Sequence, residues 1–75
     1  MRAPLIYQIR IKEQLGEQWA EWFSPLVIHS EPEGNTTLTG PLRDQGELHG
    51  MLSKVRDLNL TLVSVNPIEG VLEAE

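Results

Sequence analysis

The sequence predicts an α+β domain of the ferredoxin-like split-βαβ class: a four-stranded antiparallel sheet with two helices on one face, in the order βαββαβ. Three observations predict it. Segments of period two stand at the start, middle and end of the chain. Segments of helical period separate them. A Gly-Asn turn divides the middle segment into a hairpin. One such unit uses the whole chain, so residues 1–75 read as a single domain, with 70–75 as a fraying tail that offers Val71 and Leu72 to an edge.

The first strand lies in LIYQIRIK. Leu5, Tyr7, Ile9 and Ile11 alternate with Ile6, Gln8, Arg10 and Lys12, the pattern of a strand with one buried face. QLGEQWAEWFSP changes period. Leu15, Trp19, Trp22 and Phe23 recur at spacings of four, three and one, which places them on one side of a short helix. Gly16 serves as its N-cap, and Pro25 ends it by disfavouring helical geometry at Ser24. A first helix reduced to an irregular turn is the alternative. LVIHSEPEGNTTLTG reads as the hairpin, with Gly34 and Asn35 able to take positive φ, Leu38 inward, and Thr37 and Thr39 outward.

DQGELHGMLSKVRDL is the longest periodic segment. Leu48, Met51, Leu52, Val55 and Leu58 fall within an arc of about 120°. Asp44 and Glu47 form a capping-box pair, and Asn59 is positioned as a left-handed C-terminal cap. LTLVSVNPIE supplies the last strand, with Leu62 and Ser64 expected on the face away from the helices.

Composition narrows the function. Eleven acidic against six basic residues give a net charge of −5, which disfavours phosphate backbones and anionic membranes. Hence neither nucleic acid nor membrane is an expected partner. No Cys is present, which removes thiolate metal sites and thiol chemistry and fits a reducing cytoplasm. The N-terminus has no continuous apolar core of a signal peptide, and cytoplasmic location is the expectation. Chains near this size bury only roughly 60% of their surface, and without disulfides self-association becomes the expected support.

Two longer stretches carry a resemblance. GPLRDQGELHGMLSKVRDLNLTLVSV resembles a pattern of Gly-Pro, Asp-Gln, Leu-His-Gly, an apolar pair, Arg-Asp-Leu and a Ser-containing last strand, found in a widespread family of short uncharacterised bacterial proteins. YQIRIKEQLGEQWAEWF is similar to its first half. Asn59 stands where that pattern has Gly, and both tolerate a left-handed cap. The resemblance implies no assigned activity.

Candidate contacts follow from these placements. On the second helix Gln45, His49, Ser53 and Arg56 form a polar stripe, with Gly46 and Gly50 beyond it. Glycines in a helix cost about 1 kcal/mol each relative to Ala, which close approach of a partner or ligand would justify. Gln45, His49, Gly50 and Arg56, with Trp22 at a rim, are the ligand or partner candidates. Ile6, Gln8, Arg10, Val27, His29, Thr37 and Thr39 share the second face of the sheet and are the interface candidates for a homodimer or another protein partner. His29 and His49 fall on opposite sides of the sheet, so no metal site is expected; nor are catalytic residues or a cofactor. No phosphate loop, dinucleotide fingerprint, nucleophile elbow or zinc-protease motif occurs. The expected function is a small interaction or regulatory module that self-associates. The alternative is a small-molecule binder or enzyme of the dimeric α+β barrel kind.

Overall fold

The computed structural model describes residues 5–68. The expected tail over 70–75 lies outside them. The described chain forms β1 (Leu5–Ile11), a single 3-10 turn (Glu17–Trp19), β2 (Val27–Ser30), β3 (Thr36–Leu42), α1 (Gln45–Asp57) and β4 (Leu62–Ile68). The strands make one antiparallel sheet in the order β2-β3-β1-β4.

The sheet agrees with the sequence expectation; the two-helix ferredoxin-like arrangement does not, because α1 is the only α-helix among the described residues. The segment expected to be the first helix is a run of tight turns. Its bonds run from Trp19 N–H to Gly16 O, Ala20 to Glu17, Ser24 to Glu21 and Leu26 to Phe23, and only Phe23 to Trp19 has α-helical spacing. The physical cause is length. Gly16 and Pro25 bracket barely two turns, and a helix that short does not repay its nucleation. The segment follows its anchors instead. Leu15, Phe23 and Leu26 are buried, Trp19 is half-buried and Trp22 is exposed.

Two sets of side-chain bonds hold this connection to the sheet. Thr36, fully buried at the start of β3, accepts from Leu15 N–H at 3.0 Å and donates to Glu13 O at 2.8 Å. The Glu13 carboxylate accepts from Thr61 N–H at 2.8 Å and from Thr61 Oγ1 at 2.7 Å, just before β4. Further along, Gly40 allows close approach. A Cβ there would lie 2.9 Å from Pro25 O and 3.0 Å from Leu26 Cα, so the connection rests directly on β3 because Gly40 has no side chain.

α1 is capped by Asp44 and stopped by Asn59 as the sequence indicates, but only one half of the expected capping box forms. Asp44 Oδ1 accepts from Glu47 N–H at 2.9 Å. The Glu47 side chain reaches past Asp44 to accept from Arg43 N–H at 2.7 Å, and pairs with the Arg43 guanidinium at 3.0 Å. At the other end Asn59 takes φ 61°, with Asn59 N–H on Arg56 O and Leu60 N–H on Val55 O, the Schellman pattern. In the hairpin Gly34 alone takes positive φ, at 101°; Asn35 does not.

Ile9, Ile11, Leu38 and Leu42 on one face of the sheet share a core with Met51 and Val55 of α1 and with Leu15, Phe23 and Leu26 of the connection. Helix and connection therefore lie on the same side. A bulge in β4 alters one expectation. The register opposes Ser64 to Arg10 but Leu62 to Ile11, leaving Val63 extra. Leu62 is thus paired on the covered side, opposite to its expected side, because one inserted residue reverses the alternation beyond it.

Candidate functional site

α1 and the β1–β2 connection do not close on each other completely. Between them lies an open cleft of about 240 Å³. Ser24 and Pro25 of the connection form one wall; Glu47, Gly50 and Lys54 of α1 form the other. Leu42 and Met51, almost fully buried, complete the lining.

Lys54 is the fixed charge at this cleft. Its ammonium donates to Trp22 O at 2.8 Å and sits 5.4 Å from the centre of the Trp22 ring, within cation–π range. Trp22, 42% exposed, is thus turned outward and used as a rest for Lys54. Among the described residues the one ion pair is Arg43–Glu47. The Glu47 carboxyl is held below its ordinary value of 4.5 by the Arg43 backbone N–H, and next by the Arg43 side chain. It lines the cleft already satisfied, while Lys54 has no carboxylate partner among the described residues.

Gly50 differs from Gly40. A Cβ on Gly50 would meet nothing within 4 Å, and on Gly46 only Asp44 Oδ1 at 3.4 Å. Neither glycine is required by packing against the described residues. Of the ligand candidates named from sequence, the structure brings Gly50 and, through Lys54, Trp22 to the cleft. Gln45, His49 and Arg56 are exposed and stand on the other flank of α1, roughly 100° or more around the axis from Gly50. Sequence reasoning missed Lys54, Met51 and Leu42 as cleft residues. Lys54 could have been found as the one cation near Gly50 on the same flank, but its neighbour Trp22 is 32 positions away.

The seven interface candidates share the face opposite the helix. The register lines up Val27, Thr39, Gln8 and Asn66 in one row and His29, Thr37, Arg10 and Ser64 in the next, with Ile6 beside Pro41 and Ile68. Val27 is 67% exposed. Thr37 is almost fully buried, with its hydroxyl 3.2 Å from a Glu31 carboxylate oxygen and 3.4 Å from His29 O. Among the described residues no three His, Asp or Glu side chains converge to hold a metal ion, and no helix is long and apolar enough to cross a membrane.

Neither surface carries the arrangement of an identified reaction, and comparison with known proteins agrees with the resemblance seen in the sequence. A family model described as a domain of unknown function, DUF8691, matches residues 6–66, well over half the chain. The chain belongs to that family. No curated protein and no solved structure matches it.

Proposed function

We propose that this protein is a small interaction module that self-associates through the uncovered face of its sheet, and that it works in the cytoplasm. The observation that carries this is the composition of that face. Val27 is largely exposed and Ile6 and Ile68 are half-exposed, amid Gln8, Arg10, Thr39, Ser64 and Asn66. Such a mixture of apolar and uncharged polar groups with a lone Arg matches a non-obligate contact surface. A two-fold contact would cover it on both copies at once. The cysteine-free composition supports the location. A catalytic role gains little support, since His49 is exposed and does not line the cleft beside Gly50.

Sedimentation equilibrium at micromolar to sub-millimolar concentration tests this reading. The expected mass is twice the 8.5 kDa of one chain. Val27→Lys places a charge on an already exposed side chain, so the fold should persist while the mass falls to that of one chain. A wild-type protein that stays at the single-chain mass throughout contradicts the proposal.

A further inference from the structure

The cleft beside Gly50 lies on the other side of the sheet from the proposed contact face, and its features ask for a different occupant. Its volume of about 240 Å³ is below the ~300–1,000 Å³ of pockets that hold drug-sized ligands. It exceeds the ~150 Å³ in which an apolar cavity takes up benzene. Its size suits one large side chain. Leu42, Met51 and Pro25 make its walls apolar, so that side chain is aliphatic or aromatic.

Charge narrows the choice further. The Lys54 ammonium is held in place by Trp22 O and the Trp22 ring, yet spends only one of its three donors there. The carboxylate on the same wall, Glu47, is occupied by Arg43. The free recognition element is therefore a positioned cation at the mouth of an apolar slot. Gly50 adds an independent observation. A glycine weakens a helix relative to Ala, and nothing among the described residues comes within 4 Å of a Cβ placed there. Gly50 itself lines the cleft.

We propose that this cleft binds the C-terminus of a partner peptide ending in a bulky apolar residue, its side chain in the slot and its α-carboxylate on Lys54. The terminal carboxylate lies one bond from the Cα that carries the side chain, so both groups can be met by so small a site.

Amide chemical-shift titration of the labelled full chain tests it, using a tetrapeptide ending in leucine as the free acid, the same peptide as its C-terminal amide, and N-acetyl-leucine. The free-acid peptide should give saturable shifts at Gly50, Met51, Lys54 and Ser24, and the amide should bind about tenfold more weakly. Lys54→Gln should abolish that preference for the acid. Gly50→Leu, which adds bulk at a residue lining the cleft, should abolish binding while leaving the rest of the spectrum in place. Absence of saturable shifts at these residues, or equal binding of acid and amide, overturns the proposal. Binding of N-acetyl-leucine without binding of the free-acid peptide overturns the peptide as occupant. Loss of self-association, by contrast, leaves this site untouched.

Discussion

Gly40 and Gly50 sit in elements that both disfavour glycine, yet an added methyl group separates them. At Gly40 it would collide with the backbone of Pro25 and Leu26; at Gly50 it would enter open space. Gly40→Ala should therefore lower stability by about 1–3 kcal/mol through overpacking against backbone that cannot yield. Gly50→Ala should raise it by up to about 1 kcal/mol through helix propensity. Urea unfolding of the two variants checks both signs, and a stabilising Gly40→Ala would contradict the close approach described. From sequence, the helix glycines drew notice because a helix makes glycine conspicuous. Gly40 passed as the end of a hairpin strand, because its reason for being glycine lies 15 residues earlier, on a connection whose path periodicity does not report. Lys54 was hidden in the same way: its partner Trp22 is distant in the chain.

Among the elements, α1 was readable because its signals are local. Asp44, Glu47 and Asn59 act within four residues of where they stand, and the apolar arc from Leu48 to Leu58 repeats often enough to fix the period. The β1–β2 connection was readable as irregular turns only as the alternative to a helix. Leu15, Trp19, Trp22 and Phe23 fit a helical side, but only Leu15 and Phe23 are buried, and the contest between i→i+3 and i→i+4 bonding was decided by segment length and by tertiary bonds at Thr36 and Thr61. One of those bonds makes the connection sensitive to acid. The Glu13 carboxyl is held below its ordinary value of 4.5 by the Thr61 backbone N–H and then by the Thr61 hydroxyl. A carboxyl lowered by folding contributes stability that is complete above its unfolded value and disappears as pH falls through the folded one. The Glu13 and Glu47 contributions should therefore be complete at neutral pH and fade as pH falls below 4.5. Glu13→Gln/Glu47→Gln should be less stable than the wild type at neutral pH. It should also lose less stability on acidification, measured as the difference between urea midpoints on either side of that window. An unchanged difference would contradict the role given to these carboxylates.

For the molecule as a whole, the sheet divides the surface into two unlike sides. One is covered by α1 and the connection, which leave a small cleft between them. The other carries Val27, Ile6 and Ile68 among polar neighbours with no element above it among the described residues. The antiparallel sheet and its bare face were legible because period-two alternation assigns every strand residue to a side; the exception, Leu62, follows from a bulge that nothing in LTLVSV announces. Self-association through the bare face is the central functional claim, and contacts between copies test it most directly. Intermolecular NOEs, recorded on a mixture of isotope-labelled and unlabelled chains, should connect methyl groups of Val27, Ile6 and Thr39 across the two copies. Intermolecular NOEs that instead involve α1 alone, or their absence from all three of those residues in a sample shown to be dimeric, would contradict it.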